Sequence, residues 1–181
     1  DIKKPKVVLN CPNFINKMKN NIFRQNFNIR QDQTIFLYQG GLKSGRGIEL
    51  LLEAFNGLTS DENVLIFMGY GPLESLILEK MQESEIIFFQ PAVNQEVLLD
   101  YTSSADYGIL FYEDTCLNHR YCSPNKIFEY FMAGLPVLVS NLYEIRRIVE
   151  NDSLGVVAKE NTVHGFREAV SESLNLDYAK I

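Results

Sequence analysis

Asn125, Lys126 and Glu129 follow one another within five residues. Side chains three and four positions apart on a helix share a face, so one helical turn would present an amide, an ammonium and a carboxylate together. The turn also stands at the expected start of a helix. Unpaired backbone N–H groups and the positive end of the helix dipole make such a start an anion site. The chemistry on offer is neutralisation of a phosphate-like charge. The plain alternative is a solvated Lys126–Glu129 pair, stabilising the helix by roughly 0.2–0.5 kcal/mol.

The surrounding stretch, Tyr121 to Asn141, explains why a helix should begin there. Ser123 is the expected N-cap and Pro124 the first helical residue, where a missing N–H costs nothing. Ile127, Phe128, Phe131, Met132 and Leu135 make the apolar face opposite Lys126. Gly134 suits a left-handed position after the last turn, and Pro136 prevents the helix from resuming. Val137-Leu138-Val139 then reads as a short strand buried on both faces.

Further strands and helices alternate along the chain. Strands are expected at Thr34–Tyr38, Asn63–Met68, Glu85–Phe89, Asp106–Tyr112 and Leu154–Ala158. The first leads into a glycine-rich loop, residues 39–47, and a helix with Ile48, Leu51, Leu52, Phe55 and Leu58 on one face. That loop has neither G-x-G-x-x-G nor a closing G-K-[ST]. Gly69-Tyr70-Gly71-Pro72 leads into a helix ending near Met81, and Asn94 caps another after Pro91-Ala92-Val93. A loop is expected over Glu113–Cys122, and helices over Leu142–Glu150 and Asn161–Leu174. The last buries Phe166, Ala169, Val170 and Leu174 and carries His164 as an ordinary surface histidine. Lys6–Leu9 reads as a short strand, and apolar spacing suggests a helix within residues 14–27. Such alternation implies an α/β, Rossmann-like parallel sheet of about six strands with helices on both faces. Ligands bind such sheets beyond the carboxyl ends of the strands, where the loops at 39–47, 69–72, 91–93 and 113–126 converge.

The 181 residues suffice for one domain, 46% of them hydrophobic and 22% charged. No apolar run approaches the ~20 residues of a membrane span, and the first residues do not resemble a signal peptide. Cys11, Cys116 and Cys122 are too few and scattered for a disulfide framework, and free thiols in a reducing compartment are expected. Net charge is −6, but the first thirty residues hold seven Lys/Arg against one Asp, leaving −12 for the remainder. The acidic bulk argues against a nucleic-acid partner. The basic segment could face phosphates, an acidic partner domain or a membrane surface.

SPNKIFEYFMAGLPVLVS closely resembles the donor-site motif of retaining nucleotide-sugar glycosyltransferases with the two-domain GT-B fold, family 4, also called group 1. The resemblance covers about residues 6–175 and implies the C-terminal, donor-binding half of such a fold. The single domain would span residues 1–181, with 1–12 the end of an interdomain linker and the acceptor domain preceding Asp1. By this likeness Asn125 and Lys126 approach the donor diphosphate with the N–H groups near Ser123 and Pro124, and Glu129 takes the ribose. Gly40, Gly41 and Arg46 belong to the second phosphate loop, in which Arg46-Gly47 matches the family's Lys-Gly. Gly41 stands where many members carry Arg, with Lys43 as the substitute candidate. Pro91, Ala92 and Val93 are implied at the donor base. Many relatives also carry a Glu eight positions before the ribose Glu. Tyr121 occupies that position here, and Glu113, Asn118 and His119 are the polar residues near it.

The implied reaction moves a sugar from a UDP- or GDP-type donor to a glycan or lipid-linked acceptor, with Arg46, Lys126 and Glu129 in the machinery. No cofactor and no metal is implied, since cations and a helix start neutralise the leaving diphosphate. The implied partners are the nucleotide sugar, the acceptor domain and a membrane surface, and the location is cytoplasmic or peripheral on the inner membrane face. The chain alone is expected to bind nucleotide weakly without transfer. Two other readings stay open: a non-catalytic module binding a nucleotide sugar or a partner protein, and half of a nucleotide-sugar epimerase. A phosphorelay receiver is disfavoured, because no aspartates cluster at strand ends.

Overall fold

Ile35, Phe36, Leu37 and Tyr38 are all fully buried, as in a strand covered on both faces. That strand is central in the computed structural model, which describes residues 11–56, 58 and 62–176. The strands are β1 (Thr34–Gly41), β2 (Asn63–Tyr70), β3 (Ile87–Pro91), β4 (Tyr107–Leu110), β5 (Val137–Val139) and β6 (Gly155–Val157). All pairings are parallel, in the order β3-β2-β1-β4-β5-β6. The order reverses between β1 and β4, the switch point where such sheets open a crevice.

The helices are α1 (Ile22–Phe27), α2 (Ile48–Asn56), α3 (Glu74–Gln82), α4 (Gln95–Thr102), α5 (Leu117–Tyr121), α6 (Asn125–Met132), α7 (Tyr143–Asp152) and α8 (Val163–Leu174). Alternating strand residues supply two cores. Phe36, Tyr38, Leu65 and Phe67 pack under α2, α3 and α8. Ile35, Leu37, Val64 and Ile66 pack under α1, α4, α6 and α7. The period-two alternation of a pleated strand thus divides one apolar run between two layers.

Several expected boundaries move. β1 and β2 run on through Gly41 and Tyr70, pairing Gly40 with Gly69. A Cβ on Gly69 would fall 1.9 Å from the Gly40 carbonyl oxygen, so only glycine at position 69 allows this approach. Gln39, Gly40 and Gly41 therefore belong to a strand and not to the loop after it. α8 turns Ser173 inward and leaves Leu174 about half exposed. The loop expected at residues 113–122 holds α5. The helix expected within 14–27 forms only as α1, and residues 11–20 have no regular structure. Other elements recruit their polar groups. Asn20 donates to the Asp100 carbonyl (2.7 Å) and to Ser103 Oγ (2.9 Å), and the Lys17 N–H donates to the Met132 carbonyl (3.3 Å). The basic charges of this segment are also engaged: Lys17 with Asp100, Lys19 and Arg24 with Asp106, Arg30 with Asp32. Among the described residues it thus presents cations already paired within the chain. The strand expected at Lys6–Leu9 lies outside the described residues.

At α6 the start shifts by one. Pro124 is the N-cap, in extended conformation (φ −73°, ψ 142°), and its carbonyl accepts from the Ile127 N–H at 3.1 Å. A residue preceding proline is itself driven to extended backbone, which leaves Ser123 one position too far out to cap. Its hydroxyl is buried without a partner. The other end is as expected, with Gly134 at φ 70°. Among the described residues no helix is long and apolar enough to cross a membrane.

Candidate functional site

Two adjoining clefts open at the carboxyl ends of β1 and β2, and α6 closes both. The first, about 250 Å³, is lined by Gln39 to Gly41, Met68 to Tyr70, Ala92, Val93, Gln95, Leu98, Lys126 and Glu129. The second, about 230 Å³, is lined by Gly41, Lys43, Arg46, Tyr112 and Lys126. Gly41 and Lys126 belong to both. The second holds three cations and no carboxylate, the electrostatics of an anion site.

Aromatic rings aim those cations. Lys126 Nζ lies 4.4 Å from the centroid of the Tyr38 ring and 5.4 Å from that of Tyr112, while the Arg46 guanidinium carbon stands 4.2 Å over the Tyr112 ring. Such contacts hold a cation without neutralising it. Burial, and then the Arg46 charge, push the Lys126 ammonium down to about 7, against the pull of Glu129. Burial pushes the Tyr112 hydroxyl up to about 12 despite Arg46. Among the described residues none of Lys43, Arg46 and Lys126 is in a salt bridge, so the alternative of a Lys126–Glu129 pair does not form. Gly47, next to Arg46, has φ +76°, and a Cβ there would meet the Phe111 carbonyl oxygen at 1.9 Å. The loop can fold under Arg46 only with glycine at that position.

Lys43 lies across Gly41, whose Cβ would stand 3.7 Å from Lys43 Cε. A cation therefore reaches the region of position 41 from two residues downstream. Lys43→Ala is expected to weaken binding of a pyrophosphate probe roughly threefold to tenfold, the range of an ordinary net hydrogen bond, as befits a cation that solvent screens. The loss should shrink in high salt. Calorimetric titration at two ionic strengths checks both.

Glu129 turns the other way, into the first cleft. Its Oε2 accepts from Gln39 Nε2 at 2.6 Å, and Gln39 Oε1 lies 2.8 Å from the Thr102 hydroxyl on α4. Burial raises the Glu129 pKa above its ordinary value, with the Gln39 hydrogen bond and the Lys126 charge opposing. The next residue, Tyr130, is fully buried. Its hydroxyl accepts the Gln39 N–H at 3.0 Å and stands 3.1 Å from the carbonyl oxygens of Leu37 and Ile109. Pairing of β1 with β4 ends at Tyr38 and Ile109, so this phenol fills the split where the strands part.

Of the residues singled out in the sequence, Gly40, Gly41, Arg46, Ala92, Val93, Lys126 and Glu129 line the clefts. Pro91 is the exposed last residue of β3, and Ser123, Pro124 and Asn125 stand at the helix start outside the lining. Tyr121 is exposed and packs on Tyr143, ring centroids 5.6 Å apart. Asn118 is exposed, and the Glu113 carbonyl is engaged by His119. His119 is buried, its Nδ1 2.9 Å from that oxygen and 3.1 Å from Thr115 Oγ1, and its ring abuts Tyr112 and Gly45. It braces the Arg46 loop from beneath. Sequence reasoning missed Gln39, Thr102 and Tyr130. Only the extension of β1 to Gly41 makes Gln39 a buried polar residue in an otherwise apolar strand, which needs partners.

A family model, glycosyl transferases group 1, matches residues 19–180. No curated protein matches the chain. Among solved structures, WaaG, a glycosyltransferase involved in lipopolysaccharide biosynthesis, is 19% identical with a TM-score of 0.66, over 86% of this chain and 41% of its own. Sucrose-phosphate synthase from Thermosynechococcus elongatus is 21% identical with a TM-score of 0.65, over 90% and 43%. HepE from Anabaena, in complex with UDP and glucose, is 13% identical with a TM-score of 0.67, over 85% and 42%. At these identities the likeness is one of fold. The chain spans about two fifths of the length of these structures.

Proposed function

This chain belongs to the glycosyl transferases group 1 family, and from that premise we propose that it is the donor-binding domain of a retaining, family 4 GT-B glycosyltransferase. The donor is a UDP- or GDP-type sugar. In the reaction the bond between the sugar's anomeric carbon and the diphosphate oxygen breaks. The acceptor oxygen takes that carbon and gives up its proton to the departing diphosphate. Charge accumulates on the departing diphosphate, and preorganised cations at that point lower the barrier. Lys43, Arg46 and Lys126 supply them, together with the α6 start. Glu129 accepts from the ribose hydroxyls and holds the donor in register, and the cleft beside Ala92 and Val93 receives the base. An acceptor domain of the same enzyme completes the site. The observation that carries this reading is that one helical turn sets Lys126 at the junction of two touching clefts and Glu129 in only one of them, the other holding Lys43 and Arg46 without a carboxylate.

Titration calorimetry of the chain with UDP, GDP and ADP tests it. One nucleotide is expected to bind, and Glu129→Ala to weaken it about tenfold or more, as loss of a charged acceptor does. A folded sample that binds none of the three would sink the proposal. A second reading, a non-catalytic nucleotide-sugar module, is favoured by two features: the cationic cleft holds no carboxylate, and Tyr121 faces solvent. Sugar release from the bound donor by the enzyme containing this domain would exclude that module.

A further inference from the structure

We propose that Gln39 is a positioning residue for Glu129, fixing the carboxylate so that the first cleft discriminates a ribonucleoside from one lacking its vicinal hydroxyls. The proposal rests on the reading of that cleft as the nucleoside site. Gln39 is 2% exposed on β1, directly under α6. Both ends of its amide are committed, Nε2 to Glu129 Oε2 and Oε1 to the Thr102 hydroxyl. A flipped amide would set oxygen against carboxylate, so the orientation is locked from both sides. Its own N–H is held by Tyr130, the residue after Glu129. The carboxylate therefore offers its other oxygen, Oε1, to the cleft in a single orientation.

A glutamate without that brace has freely rotating torsions and, in a buried site, a raised pKa. In its protonated form it is a poorer acceptor for hydroxyl donors. Gln39 opposes both effects, since a charged hydrogen bond at this distance favours the ionised form. The relay also ties the grip to α4, whose Gln95 and Leu98 line the same cleft. Thr102 is not stranded if Gln39 is lost, because its hydroxyl also lies 2.9 Å from the Leu98 carbonyl.

The test compares UDP with 2′,3′-dideoxy-UDP, or the GDP pair if the wild type prefers guanine. Gln39→Leu is expected to weaken the ribonucleotide roughly tenfold, the scale of one charged hydrogen bond, and to leave the dideoxy analogue unchanged. Added to Glu129→Ala, it should cost nothing more. Gln39→Glu is the second probe. Two carboxyls at this distance share one proton, so its affinity relative to wild type should recover as pH falls from 8 to 5. Equal loss on both ligands, or full additivity with Glu129→Ala, would overturn the positioning role and leave the nucleoside site standing. A wild type that does not tell UDP from its dideoxy analogue would instead remove the ribose reading, and this inference with it.

Discussion

UDP binding by this chain should weaken by more than tenfold between pH 7 and 9, and Lys126→Met should remove both the pH dependence and most of the affinity. The Lys126 ammonium is held down to about 7 by burial and by Arg46, so in the free chain it is largely neutral at pH 9. A diphosphate favours the charged form. Binding above pH 7 must therefore take up a proton, at a cost approaching tenfold per pH unit. The ligand is not the source of the trend, since a terminal phosphate with a second pKa of about 6 is already ionised. Stability of the free chain moves the opposite way. Between about 7 and the ordinary lysine value of 10.5, the unfolded chain holds a proton that the folded chain has released. Stability then rises with pH across that window. Lys126→Met should flatten that rise and lower affinity at pH 7 by about tenfold to a hundredfold, the range for hydrogen bonds to charged groups. Calorimetry in two buffers of different ionisation enthalpy reads the proton uptake directly. An affinity constant from pH 6.5 to 9 would show that Lys126 stays charged or does not meet the ligand.

What the sequence disclosed and what it withheld divide along physical lines. Strand burial was legible because Ile35 to Tyr38 or Val137 to Val139 can satisfy local rules only inside a doubly covered sheet. The α6 motif was legible because Pro124, Gly134 and Pro136 each impose a backbone restriction on their neighbours. The strap at residues 11–20 was not. Its spacing of apolar residues resembles a helix, yet Phe14 and Met18 stay exposed, and its polar groups are taken by α4 and α6 at long range. Gln39 fell to a loop because two glycines after it signal a turn. Only the pairing with β2, where Gly40 meets Gly69, reveals that they extend a strand. Tyr130 acts through a contact across the fold, its hydroxyl accepting the N–H of Gln39, 91 positions away in sequence, which no local pattern encodes.

Gly108→Ala should be among the most damaging single-methyl changes in the molecule, and its effect should reach the site. A Cβ at Gly108 would stand 2.3 Å from Tyr130 Cγ and 2.5 and 2.6 Å from the adjoining ring carbons. That ring cannot move aside, because it is fully buried and its hydroxyl is fixed at the split between β1 and β4. The methyl must instead lift α6 from the sheet. Overpacking of this kind costs about 1–3 kcal/mol, and for a chain of this size each kcal/mol lowers Tm by roughly 2–4 °C. Glu129 and Lys126 ride on the same helix, so a shift that only loosened a core would also misalign both clefts, and nucleotide affinity should fall along with Tm. A cycle isolates the cause. In a Tyr130→Ala background the space is open, and Gly108→Ala should become neutral or stabilising. If the methyl costs the same with and without the ring, the seating of α6 on the β4 glycine is not what aligns the site.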